Sequence, residues 1–252
     1  MSGLQSATRV VKLIEHIATA PQSRLDDVAE LLGVHKSNAY RLLATLHELD
    51  WVSVNEDRTQ YSLGSRMLQL GHAAAPGEEV AAAQVMAAAL SSRSGETVNL
   101  SIASAASMVT VGEAPSVHEL RVSHGIGTTD PFHTSAVGKL YLASLDEEQL
   151  TIILDRIDLA PLTRSTITSK RDLRAELDRA RLRGYATNIG EQKENVSAFA
   201  LPLTFRDSIG RQLFLSLTVP SARWPRERIE EEAGALRISL HPHIDRVRAP
   251  QS

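Results

Sequence analysis

The sequence predicts an α+β protein in two parts: a small helical front that ends in a β-hairpin, and a larger rear half in which strands and helices mix. Three observations carry that expectation. Apolar residues recur at helical spacing through residues 10–49, with a tight turn at Gly33 between two of the helices. The stretch GHAAAPGEE, beginning at Gly71, breaks the pattern with small residues, proline and glycine, as a domain boundary does. Beyond Gly95, TVNLSIAS and MVTVGEA alternate as strands do, and helical and strand patterns then interleave. That order argues for a mainly antiparallel sheet flanked by helices.

Val10, Leu13, Ile14 and Ile17 place a first helix that Pro21 ends. Ser23, with Asp26 three residues on, reads as an acidic capping box opening a second helix, and Gly33 stops it. A third helix spans about Lys36–Leu49. Two β-prone pieces, 51–54 and 60–63, then flank a polar turn. A short helix from Ser65 to about His72 precedes the boundary, and an alanine-rich helix spans about Glu78–Arg93. PFHTSAVGKLYLASL reads as helical after His133, followed by a helix over about Glu147–Arg156. A further helix is capped by Ser169 and closed by Gly184. NVSAFALPLTF and GRQLFLSLTV form two apolar strands around Asp207–Gly210, and a last amphipathic helix begins near Pro225. The domain expectation is therefore 1–64, a linker helix over 65–77, and 78–252.

Composition narrows the function classes. At 252 residues and 42% apolar, the chain can build sizeable cores, and the absence of cysteine excludes disulfides, thiolate metal sites and cysteine nucleophiles. MSGLQSATRVVKL lacks the apolar core of a secretory signal, and no run approaches the roughly 18 apolar residues of a membrane span, so a cytoplasmic location without membrane contact is expected. The nine histidines are scattered apart from His241-Pro242-His243, which lacks an evident third ligand; no metal and no cofactor are expected. His133, Asp130 and Ser135 lie close together in sequence, but no GxSxG appears. SAVGKLY lacks the upstream glycine and following hydroxyl of a phosphate loop, so no catalytic residue is assigned. A net charge of −3 gives no overall polyanion signal.

The front segment carries local chemistry instead. Ala29 is small enough for close helix approach, Gly33 four residues on can take a positive φ, and Ala39 and Leu42 then face inward. This is helix-turn-helix spacing, and the hairpin makes it the winged form. The third helix would present its N-terminal residues to a major groove. Ser37, Asn38 and Tyr40 can hydrogen-bond base edges or phosphates, Lys36 and Arg41 supply positive charge, Thr45 extends the set, and Arg58 stands at the wing tip. Formal charge over residues 1–75 is near zero, so binding of double-stranded DNA should depend on that arrangement and on two copies reading two half-sites.

Six stretches in order, VHKSNAYRLLATLHELDWV, YSLGSRMLQLG, GETVNLSIA, DPFHTSAVGKLYLA, SKRDLRAELDRARLRGYA and LFLSLTVPSAR, resemble the IclR family of bacterial transcriptional regulators over nearly the whole chain. The resemblance implies a winged helix-turn-helix, a linker helix and a C-terminal GAF-like effector-binding domain, assembled as a homodimer or dimer of dimers. It implies a ligand-responsive regulator, a repressor of a metabolic operon, controlled by a small carboxylate-type metabolite. The effector residues it implies are Glu119 and Val122 from a strand, Ala136 and Val137 at a helix start, Asn188, Val196, Ala198, Ser216 and Thr218. The sequence departs from the family pattern at several of these places. Asn188 stands where an acidic residue is common, Gly190-Glu191 where a double acidic pair is, Asn195 where glycine is, and Ala198 where cysteine is frequent. Less negative charge at Asn188 favours an anionic ligand, while Glu119 and Glu191 pull the other way. A competing reading is a metabolite-binding oligomerisation module without a transcriptional role, against which stands the intact polar face of the third helix.

Overall fold

The structure is a computed structural model and describes residues 5–73, 77–123, 125–245 and 247. The chain divides into two compact units, Met1–Ala75 and Pro76–Ser252. The expected boundary and the end of the expected linker run through 74–76, which lie outside the described residues.

The first unit comprises α1 (Gln5–Thr19), α2 (Leu25–Leu32), α3 (Lys36–Glu48), β1 (Val52–Val54), β2 (Tyr61–Leu63) and α4 (Arg66–Ala73). Leu13 and Ile17 of α1, Val28 of α2, Ala39, Leu43 and Leu46 of α3, and Val52 and Tyr61 of the hairpin close one core. Ala39 is fully buried as the spacing requires. Leu43, four residues on, takes the inward place expected of Leu42, which is only half-buried. Gly33 sits at φ 60°, and the next amide, that of Val34, returns to the Ala29 carbonyl at 3.1 Å. The start of α2 differs from expectation. Arg24 is the N-cap, its amide donating to Asp27 Oδ2 at 2.8 Å, while Ser23 Oγ turns back to the Ala20 carbonyl at 2.6 Å. The reciprocal half of the expected box exists, shifted one residue along.

The second unit runs α5 (Glu78–Ser94), β3 (Thr97–Ala103), β4 (Ser107–Ala114), β5 (Thr129–Pro131), α6 (Ala136–Ser144), α7 (Glu147–Leu154), α8 (Lys170–Arg183), β6 (Ala186–Ile189), β7 (Val196–Arg206), β8 (Gln212–Pro220) and α9 (Arg226–Ser239), then a 3-10 turn at His241–His243. Six antiparallel strands lie in the order β5-β4-β3-β8-β7-β6. Period-two alternation gives the sheet two faces. Val98, Leu100, Phe199, Leu201, Leu215 and Leu217 meet α5 and α9, where Ala83 and Ala87 allow close approach. The other face turns Ala198, Ala200 and Phe214 toward α6, α7 and α8. Ser169 Oγ accepts the Asp172 amide and Gly184 closes α8, as expected.

Two short strands escaped the sequence reading, β5 and β6. The strand expected to carry Glu119 and Val122 does not form. Glu113 Oε2 accepts the Gly125 amide at 2.9 Å and its Oε1 takes the Ser123 hydroxyl at 2.8 Å, so the intervening chain folds back beside β4 in irregular form.

Candidate functional site

Two sites emerge, one in each unit. On α3, Lys36, Ser37, Asn38, Tyr40, Arg41 and Thr45 are all exposed on the side away from Ala39, Leu43 and Leu46. His35 caps the helix without a side-chain bond, so its first amides keep their positive end toward solvent. Lys36 Nζ meets Asp26 Oδ1 at 2.7 Å, a surface pair with both side chains two-thirds exposed. Thr45 Oγ1 donates to the Arg41 carbonyl at 3.0 Å and so is partly engaged. The wing tip is built by Asn55, whose Oδ1 accepts the Thr59 and Gln60 amides. Arg58 sits there exposed at φ 53°.

The second site is a cleft between the sheet and the start of α6. Register builds its floor: Thr218 on β8 pairs with Ala198 on β7, which pairs with Asn188 on β6, and one row along Asn99 on β3 pairs with Ser216. Above stand Ser135, Ala136 and Val137, with Asp130 from β5. Gln192 and Val196 complete the lining, and as its only half-buried members they mark the mouth. Seven of the nine implied effector residues, Ala136, Val137, Asn188, Val196, Ala198, Ser216 and Thr218, thus converge. Glu119, exposed, and Val122, half-buried, do not line the cleft, because the segment bearing them is tied back to Glu113.

The cleft is narrow, with room of about 20 Å³ for a water-sized body. Gln192 Nε2 donates to Asp130 Oδ1 at 2.7 Å, joining the mouth to the β5 side. Ser135 Oγ accepts the Gly138 amide at 3.0 Å, while Ala136 and Val137, which line the cleft, belong to the first turn of α6, where helix amides lack intrahelical acceptors and suit a carboxylate. The lining holds one carboxylate, Asp130, and no lysine, arginine or histidine. Glu191, expected to add negative charge, is instead paired with Lys139, Nζ to Oε1 2.5 Å. Asn99, Asp130, Ser135 and Gln192 were not read as effector residues. The signal for Asn99 was present: Thr97, Asn99 and Ser101 alternate in β3 as Ser216 and Thr218 do in β8.

Of the three residues that lie close together in sequence, Asp130 is bonded to Gln192 and the other two to backbone. His133 Nε2 lies 3.1 Å from the Ala160 carbonyl and Ser135 Oγ donates to the Pro131 carbonyl at 2.8 Å, so both are engaged in holding the backbone. Among the described residues no cluster of three or more His, Asp or Glu is placed to hold a metal, and no helix is long and apolar enough to cross a membrane.

Residues 78–240 match the model of the bacterial transcriptional regulator IclR C-terminal domain, and residues 6–56 match the IclR helix-turn-helix domain. The chain belongs to the IclR family. It is a transcriptional regulator with a DNA-binding helix-turn-helix, not an enzyme. Among its IclR relatives, the transcriptional repressor IclR of Escherichia coli (strain K12) is 28% identical over 90% of this chain and 84% of its own. A crystal structure of an IclR transcriptional regulator from Alicyclobacillus acidocaldarius superposes with a TM-score of 0.78 at 28% identity, covering 94% of this chain and 96% of that one. An IclR homolog from Microbacterium hydrocarbonoxydans, solved in complex with 4-hydroxybenzoate, shares the fold at a TM-score of 0.72 and 20% identity, covering 90% and 95%.

Proposed function

We propose that this IclR-family chain is a ligand-responsive repressor of a catabolic or metabolic operon. Residues 1–64 grip a duplex DNA operator, 65–77 act as linker, and 78–252 bind a small carboxylate metabolite and assemble the protein as a homodimer or dimer of dimers. The observation that carries the effector half is the convergence of seven implied residues on one cleft whose wall includes the N-terminus of α6. The complex of a family member with 4-hydroxybenzoate supports an acid as ligand. For the DNA half, the support is the exposed α3 set from Lys36 to Thr45 with Arg58 on the wing.

The mechanism follows from linkage. A metabolite shifts operator affinity only if it binds one arrangement of the paired recognition helices better than another, and couplings of roughly 1–3 kcal/mol are typical. Such a regulator works where the chromosome is, in the cytoplasm.

The test is gel retardation of fragments from the chain's own genome, repeated with small aliphatic and aromatic acids. The reading expects at least one promoter fragment to be retarded and at least one acid to change its affinity. Combining Ser216→Ala with Asn188→Ala should remove the acid response and leave operator binding in place. Failure to retard any fragment, with or without acids, refutes the proposal.

A further inference from the structure

α5 and α9 cover the face of the sheet turned away from the cleft, and a groove of about 140 Å³ opens between them. Its floor is apolar. Leu90 of α5, Leu217 of β8, Leu236 of α9 and Trp224, which precedes α9, are all buried there. Leu217 stands between Ser216 and Thr218, so strand alternation puts this groove and the cleft on opposite sides of β8, and no residue lines both.

The rim is charged. Arg93 stands at the end of α5 and Arg228 and Glu232 on α9, and none of the three has an ion-pair partner among the described residues. Arg228 and Glu232 are four residues apart, the spacing at which Arg226 and Glu230 of the same helix meet at 3.6 Å. Arg228 instead lays its guanidinium over the Trp224 ring, 4.3 Å from the centroid, a contact through its flat face that uses none of its N–H donors. Ser94, the remaining lining residue, is committed to backbone: its Oγ donates to the Leu90 carbonyl at 2.8 Å and accepts the Glu96 amide at 3.2 Å. Recognition therefore falls to two guanidiniums and one carboxylate.

That set, placed around an apolar floor, selects a class of molecule. A simple acid would pair with the arginines and set its own charge beside Glu232. An amine would pair with Glu232 and meet two like charges. A molecule that carries both charges close together, with an apolar group beside them, answers all three side chains and the floor. An α-amino acid has that arrangement. The volume limits its side chain, since a cavity of about 150 Å³ lined by Leu, Ile and Phe holds one benzene ring.

We infer that the groove between α5 and α9 is a second ligand site, which takes a free α-amino acid with an apolar side chain of about leucine's size. Its carboxylate lies at Arg93 and Arg228, its ammonium at Glu232, and its side chain on Leu217, Leu236 and Trp224. The site goes beyond the effector reading and does not depend on it.

The experiment measures calorimetric binding of four probes to the full chain: L-leucine; isocaproate, which lacks the ammonium; isoamylamine, which lacks the carboxylate; and L-serine, which lacks the apolar group. Leucine should bind roughly tenfold or more tighter than each of the others, since a site built to bond a group rejects the analogue lacking it. Glu232→Gln should lower leucine affinity by roughly tenfold and leave isocaproate unchanged or improved, because the repelling carboxylate is gone. Arg93→Gln should weaken leucine likewise and leave isoamylamine unchanged or improved. Neither side chain is paired in the fold, so both variants should keep the wild-type circular dichroism and melting temperature; should Glu232→Gln fail to fold, Arg93→Gln carries the test. Combining Ser216→Ala with Asn188→Ala, on the other face of the sheet, should leave leucine binding intact.

Absence of leucine binding, any of the three analogues binding as tightly as leucine, wild-type leucine affinity in both charge variants, or loss of leucine binding in the Ser216 and Asn188 double variant would overturn the inference. The acid response of the cleft is measured with other probes and stands or falls separately.

Discussion

Lys139 Nζ lies 2.5 and 2.6 Å from the two carboxylate oxygens of Glu191, joining α6 to the turn that follows β6, with the lysine buried and the glutamate nearly so. Burial pulls the lysine below its ordinary pKa and pushes the glutamate above its own, and each partner's charge opposes that drift in the other. The pair is part of the cleft's frame. Glu191 adjoins Gln192 at the mouth, its amide donates to Asn188 Oδ1 at 2.8 Å, and its carbonyl accepts Thr166 Oγ1 at 2.7 Å.

Breaking one side of such a pair strands the other. Lys139→Met should therefore destabilise the second unit by about 3–5 kcal/mol, and Glu191→Leu by a similar amount. The double variant should recover most of the loss, because a matched apolar pair leaves no buried charge. Urea unfolding of the four proteins measures this. A double variant as unstable as the sum of the singles would mean that the pair is not what joins these elements.

Asp207 organises the β7–β8 turn, its Oδ1 accepting the Ile209 amide at 3.1 Å and the Arg211 amide at 2.8 Å, its Oδ2 facing Arg211 Nε at 2.6 Å. Burial alone would raise its pKa, but these bonds outweigh it and hold the carboxyl below the usual range. The unfolded carboxyl has a pKa of about 3.9. A folded pKa below the unfolded one gives stability that is complete above about pH 4 and is lost as pH falls toward the folded value. Asp207→Asn should thus cost about 1–2 kcal/mol at pH 7 and progressively less below pH 4. Chemical unfolding at pH 7, 4 and 3 tests it; a gap that does not narrow with acid would show that ionisation of Asp207 is not its source.

Gly138 lies where α6 passes closest to the chain entering it. A Cβ there would stand 2.5 Å from the Phe132 Cα and carbonyl oxygen, both backbone atoms that cannot swing aside. Gly138→Ala should push the start of α6 away from β5, costing about 1–3 kcal/mol, the usual range for overpacking. Since Ala136 and Val137, the two residues just before it, line the cleft, acid response should fall further than stability does. Melting curves and acid-dependent DNA retardation, run side by side, separate the two effects. Wild-type acid response in a destabilised variant would exclude the α6 start from ligand binding.

How far the sequence reached depended on how local each constraint is. The helix-turn-helix was legible because Ala29, Gly33 and Ala39 act within ten residues of one another, and β7 and β8 because they are long, eleven and nine residues, and mostly apolar. β5 and β6 were not legible. Three and four residues are too few for a period, and each is a strand only because its neighbour supplies a ladder. The cleft split the same way. Ser216 and Thr218, which the family resemblance implied, also alternate on one strand face, so the sequence itself puts them together. Asp130 and Gln192, brought together across 62 positions, could not be placed from it. Glu119 and Val122 do not line this cleft, and their neighbours Ser123 and Gly125 are held by Glu113 on β4, a tie across ten or more positions that no local pattern shows.

The electrostatics of α3 separate two side chains that look alike in sequence. Lys36 is bridged to Asp26, whereas Arg41, also exposed, has no ion-pair partner among the described residues. Each phosphate contact that a cation makes adds close to one unit to the salt dependence of binding. Arg41→Ala should weaken operator retention roughly uniformly across sequences and reduce the slope of log affinity against log salt by about one. Asp26→Asn should do the opposite in affinity. It removes a carboxylate beside α3 and frees Lys36, at little cost in stability because an exposed pair is worth about 0–1 kcal/mol. Fluorescence anisotropy of a retarded promoter fragment over a salt series distinguishes the outcomes. If Asp26→Asn leaves affinity and slope unchanged, Lys36 does not touch phosphate; if Arg41→Ala leaves the slope unchanged, neither does Arg41.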